Sequence, residues 1–381
     1  MYSISVHGML IADKVRTDAY AQALRQAVTP DSVVLDVGTG TGIFAMLACQ
    51  FGAKRVYAVE PDNSIQVARE IAAANGFADR IVFIQDLSTR VTLPEQADVI
   101  ISDLHDRLPL FELHIPSIVD ARERLLAPGG TLIPLRDTLW AAVVGAPELY
   151  KRVAVWDDNR YGLEMHHARN MVANSGQGGR ARPEQLLVEQ QCWMELDYTS
   201  VKSPNVSAEI SWTAAREGIA HGFIVWFDTL LAEQVGFSNA PDKPELIYGN
   251  VFFPWLRPVS LRAGDRLSIH LRADLVGGKY VWQWGTEVFD GENAEKRKAE
   301  FKQSTFFSTP LSLNSIRKRA ANYVPALNNE GRIEHLILSL MDGQMSLGDI
   351  ASRASELFPQ RFTDQRDALA YVAELSQKYS R

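Results

Sequence analysis

Val33-Val34-Leu35-Asp36-Val37-Gly38-Thr39-Gly40-Thr41-Gly42 is an apolar run interrupted by one acidic residue and followed by three glycines spaced two apart. The pattern predicts a buried strand, then a tight turn in which residues without Cβ let backbone N–H groups approach a ligand, then a helix opening over Ile43–Phe51. It reads as a nucleotide cradle. A dinucleotide fingerprint needs its third glycine three residues after the second, and that position is Ile43. The spacing therefore points to S-adenosylmethionine as the cofactor. Glu60 ends a second apolar run, Arg55-Val56-Tyr57-Ala58-Val59, where a carboxylate can accept both ribose hydroxyls.

Working outward, short β-rich runs alternate with helical patterns from Asp31 to Val144. Strands are expected at Val33–Val37, Arg55–Glu60, Ile81–Gln85, Asp98–Asp103 and Thr131–Val144, with helices at Asp62–Asn75 and Ile115–Leu126. Ala127-Pro128-Gly129-Gly130 is read as the break before the last strand. Such alternation predicts an α/β domain with a parallel, Rossmann-like sheet, whose ligand lies beyond the carboxyl ends of the strands. Asp36, Glu60, Asp86 and Asp103 each stand at or just past a strand end, so they form the candidate site.

The 381 residues are 46% hydrophobic and 22% charged, enough for two or three domains with real cores. A net charge of -7 argues against general affinity for nucleic acid or an anionic membrane. Cys49 and Cys192 are too few for a disulfide framework or a zinc site, and both are expected to be buried thiols. No metal is expected. No run has the apolar length of a membrane span and no secretory leader is evident, so a cytoplasmic location is expected.

Past residue 150 the texture changes: seven of the eight tryptophans fall there, and Phe223–Thr229, Glu245–Phe253 and Leu267–Leu271 suggest antiparallel β structure. A barrel-like domain is expected, with Trp156–Pro183 as an irregular projecting arm that includes Gly176-Gln177-Gly178-Gly179. The charge clusters at 292–302 and 315–320 read as solvated surface. Beyond Ala326 three apolar stripes suggest a small helical module: Leu336, Ile337, Leu340 and Met341; then Leu347, Ile350 and Ala351; then Ala368, Leu369, Val372 and Leu375. Residues 330–381 carry eight acidic and six basic side chains, which suits peptide or protein binding better than DNA reading.

From about Val6 to about Leu271 the chain resembles the protein arginine methyltransferase family. The shared features are Val6-His7 through Val15-Arg16-Thr17, the glycine loop, Glu60, Ile100-Ile101-Ser102-Asp103 with Glu112, Tyr150-Lys151, Tyr161-Gly162, Asp197-Tyr198, His221-Gly222-Phe223 and Trp226-Phe227-Asp228. The resemblance implies a Rossmann-like donor domain at 1–145 and a β-barrel at 146–310. It further implies an arm near 156–183 that clasps a second subunit in a head-to-tail homodimer. Arg16 would pair with the methionine carboxylate of the cofactor, His7 would lie beside the cofactor, Gly38, Gly40 and Gly42 with Asp36 and Asp86 would complete its site, and Glu60 would hold the ribose. The helical module at 326–381 loosely resembles PqqD-like peptide-binding domains through an Asp-Gly-x-x-Ser-x-x-Asp-Ile pattern.

In that family two acids nine residues apart flank the substrate guanidine, and the equivalent pair is Asp103 and Glu112, the first one methylene shorter. A guanidinium stays protonated and its nitrogens are poor nucleophiles. Two carboxylates bonded to its fork draw positive charge toward one nitrogen and leave lone-pair density on another. Two departures stand out. Counting back from Asn250, Leu246-Ile247-Tyr248 occupies the place of the family's Thr-His-Trp, leaving Asp13 without its usual partner. The family's leading tyrosine helix would fall before or at Met1, so its lid over the cofactor is expected to be either missing or replaced, in part by Tyr2.

Three functions stay open at this point. One is methyl transfer to a guanidine nitrogen of a peptide, protein or small molecule. Another is transfer to an amine, hydroxyl or carboxylate of a secondary metabolite or modified peptide, with Asp103 or Glu112 as general base. The third is a non-catalytic scaffold that binds the cofactor. The acceptor's identity and the number of methyl groups added are not written in the sequence.

Overall fold

The structure, a computed structural model, describes residues 3–158, 161–293 and 295–380. Tyr2 lies outside them. Two compact units divide the chain, the first running to Thr309 and the second from Pro310.

The first unit begins with helices α1 (Ile4–Ala12) and α2 (Lys14–Ala27), which meet at Asp13. Asp13 ends α1 and caps α2, its side chain accepting the Arg16 amide. There follow β1 (Val33–Val37), α3 (Ile43–Gln50), β2 (Arg55–Val59), α4 (Ser64–Ala74), β3 (Ile81–Ile84), β4 (Ala97–Ser102), α5 (His114–Arg124) and β5 (Leu126–Ile133). All five strands run parallel in the order β3-β2-β1-β4-β5. Every residue of β1 is buried, which is why its sequence is a continuous apolar run and not an alternation. The chain winds from β1 toward β2 on one side and places β4 on the other, so the order reverses beside β1. In open sheets a ligand crevice forms at that reversal.

The expected single strand at Thr131–Val144 is two strands in two sheets. β5 ends at Ile133, and β6 (Arg136–Val144) pairs with the antiparallel β10 (Gly218–Ala232). Proline lacks the N–H of a ladder donor, so the sheet switch falls at Pro134-Leu135. Ala127–Gly130 is not a break before β5. It is an irregularity within that strand, where the register to β4 jumps between the pairs Ala97↔Leu126 and Val99↔Thr131.

Beyond β6 come α6 (Pro147–Ala154), α7 (His166–Ala173), β7 (Gln177–Gly179), β8 (Gln191–Asp197), β9 (Val206–Thr213), then β10, β11 (Val235–Ser238), β12 (Asn250–Leu261), β13 (Arg266–Val276), β14 (Lys279–Phe289) and β15 (Arg297–Ser304). One sheet has the order β7-β12-β10-β6-β8, with β11 also on β10; the other is β15-β14-β13-β9. Together they make a barrel-like antiparallel region around Trp226, Trp255, Trp284, Phe223 and Phe253, all fully buried in the core that also holds the parallel sheet.

Three expectations need correction here. The segment 156–183 is more ordered than an irregular arm: it contains α7, and Gln177–Gly179 pairs with β12. Residues 245–249 form a turn and not the start of a strand. Cys192 is exposed on β8, where the register to β6 shifts beside it, whereas Cys49 is buried.

The second unit contains α8 (Leu313–Lys318), α9 (Asn329–Leu340), α10 (Leu347–Leu357) and α11 (Gln365–Tyr379). The last three enclose a core of Ile333, Ile337, Ile350, Ala351, Ala354, Phe362, Ala368, Val372 and Leu375. The stripes are therefore right in period but not residue for residue, since Leu347 and Leu369 face solvent. Ser346 and Asp349 form a reciprocal capping box that starts α10. Among the described residues no helix is long and apolar enough to cross a membrane.

Candidate active site

A cavity of about 420 Å³ lies at the carboxyl ends of β1, β2 and β4, where the strand order reverses. The leading helices supply His7, Leu10 and Arg16; the glycine loop supplies Gly38 to Thr41; β2 supplies Glu60 just past its end. Leu87, Ser88 and Thr89 follow β3, and the segment after β4 supplies Asp103, His105, Glu112 and His114.

Backbone geometry builds the glycine half. Gly38 (φ 75) donates to the Val59 carbonyl at 2.8 Å, and a Cβ there would stand 2.5 Å from the Leu104 Cδ2. A Cβ on Gly40 (φ 54) would stand 2.6 Å from the His7 ring. Both positions take the positive φ that glycine adopts at least cost, and a Cβ at either would press on a neighbouring side chain. Gly42 is the N-cap of α3, behind the lining. Glu60 is fixed from two sides, accepting the Gly40 amide at 3.0 Å and the Asp62 amide at 2.9 Å. Each carboxylate oxygen has a second lone pair, so Glu60 retains acceptor capacity toward the cavity.

Asp36 and Asp86 do not face that cavity. Asp36 is buried behind the loop, where one oxygen accepts from Thr39 Oγ1 at 2.5 Å and from the Ala45 amide at 3.0 Å. Burial pushes its pKa up to about 7 against those two bonds. Its role is to hold the loop onto the first turn of α3. Asp86 accepts the Leu87 amide at 2.7 Å and faces Arg90 at 3.9 Å, and the turn that follows it does the lining.

The acid half is a buried network of charges. Asp103 accepts from Arg16 Nε at 2.7 Å and from Arg16 Nη2, from the Tyr248 hydroxyl at 2.9 and 3.1 Å, and from His105 Nδ1 at 2.9 Å. His105 Nε2 lies 2.7 Å from Asp137, which also accepts from the Tyr198 hydroxyl and from Thr229 Oγ1 at 2.6 Å. Burial pushes the Asp103 pKa up, but the Arg16 guanidinium and the bond from His105 outweigh it and hold the carboxyl well below the usual range. For His105 burial works downward, and the charge of Asp137 with the bonds to both acids raises it to about 10. Neighbouring His114 goes the other way, to about 4, through burial and the adjacent charge of His105. Its Nδ1 bonds to the Pro109 carbonyl at 2.7 Å.

Arg16 thus lines the cavity with its fork turned largely into the protein. It is 3% exposed, and Nη1 also donates to the Leu10 carbonyl at 3.1 Å. Glu112 differs from Asp103 in every respect: it is exposed, and its backbone takes the left-handed conformation (φ 39). Strain of this kind in a residue with a Cβ costs on the order of 1–3 kcal/mol and clusters at functional sites.

Sequence reasoning missed His105, Asp137 and Tyr248. His105 lies two residues from Asp103, but Asp137 is 32 positions from His105 and Tyr248 is 145 from Asp103, beyond any local pattern. Tyr248 is presented by a loop pinned through Asn239, whose Oδ1 accepts the Phe227 amide at 2.7 Å, and Asn250, whose Nδ2 donates to the Asn239 carbonyl at 2.7 Å. Asp13 also has a partner: its Oδ2 accepts the Ile247 amide at 2.9 Å.

Two family models match the chain, one described as ribosomal protein L11 methyltransferase over residues 16–133 and one as the arginine methyltransferase oligomerization subdomain over 136–272. The seam between them coincides with the sheet switch. Protein arginine N-methyltransferase 1 of Schizosaccharomyces pombe is 30% identical over 68% of this chain and 79% of its own length. The Arabidopsis thaliana sequence named "Probable protein arginine N-methyltransferase 6" is 30% identical over 63% of this chain, which spans 57% of that relative. A solved Trypanosoma brucei PRMT1 enzyme-prozyme heterotetrameric complex with AdoHcy shares the fold with TM-score 0.71 and 24% identity, covering 79% of this chain and 98% of the other.

Proposed function

The chain belongs to the protein arginine N-methyltransferase family, and from that premise we propose that it transfers the methyl group of S-adenosylmethionine to a guanidine nitrogen of a peptide, protein or small molecule. The observation that carries this reading is a single cavity with the glycine loop and Glu60 at one side and two loop carboxylates, Asp103 and Glu112, at the other.

The residues present fit the donor. A loop whose glycines leave room that a Cβ would fill admits a nucleotide, and Glu60 is held with acceptor capacity to spare for ribose hydroxyls. His7 closes over Gly40, and one N–H of Arg16 Nη2 beyond its bond to Asp103 is available for a carboxylate. When bound, the cofactor supplies a methyl group activated by a sulfonium. The protein's part is to hold the acceptor nitrogen in line with it, exclude water and stabilise charge. Glu112 accepts from one side of the guanidinium fork, draws positive charge toward the nitrogens it binds and leaves the remaining nitrogen the better nucleophile. Asp103, ionised and aimed, meets the fork from the interior.

A second reading has one observation in its favour. Arg16, His105 and Tyr248 already take most of the acceptor capacity of Asp103, which suits an acceptor presenting a single N–H or O–H, such as an amine or hydroxyl, with Glu112 as the base. Mass spectrometry of arginine-containing peptides, free arginine and amine-bearing metabolites, each incubated with methyl-labelled donor, separates the two. Label on a guanidine supports the first reading, label only on another atom supports the second, and label on none overturns both.

The arm is proposed to clasp a second copy of the chain. Tyr161 at 88% exposure and Leu163 at 61% are apolar side chains left in solvent, which interfaces commonly cover. Leu163→Asp is expected to convert a dimer to a monomer by light scattering; an unchanged mass overturns this. The helical module is proposed to recruit the acceptor, so deleting 326–381 should raise the acceptor KM while kcat holds.

A further inference from the structure

Beyond the paired acids of the proposed transfer, on which this inference rests, we propose that Asp137 and His105 form a positioning relay that fixes Asp103 as an ion at the wall of the cavity. The relay joins distant parts of the chain. Asp103 and His105 follow β4 of the parallel sheet, whereas Asp137 is the second residue of β6 in the antiparallel sheet.

Ionised carboxylates only accept, so a ring bonded through Nδ1 to one carboxylate at 2.9 Å and through Nε2 to another at 2.7 Å carries a proton on both nitrogens. Arg16, Asp103, His105 and Asp137, all buried side chains, then sum to zero charge. Removing the imidazolium leaves one uncompensated negative charge there, which Asp103 or Asp137 relieves by taking a proton. The ring has no freedom to turn away. It stacks on Phe227 of β10 at 5.1 Å with planes 5° apart, meets His114 of α5 edge-on at 5.0 Å, and lies 6.1 Å from Tyr248. Asp137 is held in turn by Tyr198 and Thr229. The groups facing His105 are therefore Asp103, Asp137, His114 and Tyr248, with Arg16 one bond further on. No part of this chain of contacts needs the substrate, so the acid is aimed before the acceptor arrives.

The test uses the full chain. Asp137→Asn and His105→Gln should each lower kcat about 10- to 100-fold, the scale of a small misplacement at a reacting centre. KM for the methyl donor should stay within about twofold, because the glycine half is untouched. In His105→Gln the acid limb of the kcat–pH profile should move up, because the lost imidazolium leaves an uncompensated negative charge beside Asp103, which lost packing alone would not do. A folded Asp137→Asn or His105→Gln protein with wild-type kcat, or a folded His105→Gln protein with lowered kcat and an unmoved acid limb, overturns the relay while leaving the function intact. Should both variants unfold, ring-nitrogen NMR of the wild type decides: His105 doubly protonated at pH 8 supports the relay, and a neutral ring at that pH overturns it. A wild-type protein that methylates no acceptor brings down the function and this inference together.

Discussion

The two halves of the cavity are made by opposite means. On the glycine side, residues within a few positions of one another do the work: Gly38, Gly40, Thr39 and Asp36 shape a loop that hydrogen-bonds to Val59 and Glu60 at the end of the next strand, Glu60 being 20 positions from Gly40. On the acid side, Arg16, Asp103, Asp137 and Tyr248 come from four separate stretches, and the Arg16–Tyr248 contact spans 232 positions. One half is a local motif that needs a backbone conformation. The other exists only once two sheets have been laid together, so its charge balance depends on the whole first unit.

That contrast is most severely strained by the two acids. Asp103→Asn and Glu112→Gln should each lower turnover about 100- to 1000-fold, the usual cost of deleting one preorganised electrostatic group. Only the first should unfold easily. Breaking a buried pair costs about 3–5 kcal/mol, whereas a change at an exposed residue stays within about 0.5 kcal/mol. Urea unfolding beside steady-state kinetics reads both quantities, and equal stability losses would erase the distinction between an enclosed and an open carboxylate.

Next in size is Glu60→Ala. It removes an acceptor for ribose, and hydrogen bonds to charged groups are worth about 1.5–3 kcal/mol, so donor affinity by calorimetry should fall about 10- to 100-fold. Turnover at saturating donor should change far less. Unaltered affinity would detach the glycine half from the cofactor.

Tyr248→Phe probes the long-range side more gently. Loss of its hydroxyl removes the donor to Asp103 and the acceptor for Arg16 Nε, for which about 1–1.5 kcal/mol of stability is expected to disappear in urea titration. No loss would mean that Arg16 and His105 suffice.

The smallest effect concerns pH and Asp36. Burial raises its folded-state pKa from the ordinary 3.8 to about 7. Between those values the folded protein keeps a proton that the unfolded chain has released, so this group makes stability decline as pH rises through the window. Asp36→Asn abolishes that titration. Relative to wild type, the variant should gain by about 1 kcal/mol or more in thermal unfolding between pH 4.5 and 7.5; a pH-independent difference would show that Asp36 is ionised throughout.

Legibility followed the same division. β1, the glycine turn and the helix after it were written in ten residues, because apolar run, positive-φ glycine and helix start are local consequences of composition. Thr131–Val144 reads as one strand from its β-rich composition; the break rests on a proline and on which sheet supplies partners. Asp86 stands where a strand-end acid belongs, yet its carboxylate closes a turn, a choice set by the nearest free amide. His105 showed no periodicity or spacing that marks a buried imidazolium. Its protonation is dictated by Asp137, and nothing local ties that aspartate to the loop after β4.

The most direct measurement is mass spectrometry of an arginine-containing peptide after incubation with the protein and methyl-labelled S-adenosylmethionine, run beside Glu112→Gln. The account predicts label on the guanidine with the wild type and a loss of about 100-fold or more in its rate of appearance with the variant. Label on the guanidine at the same rate in both, or no label on any arginine while the donor binds normally, would contradict it.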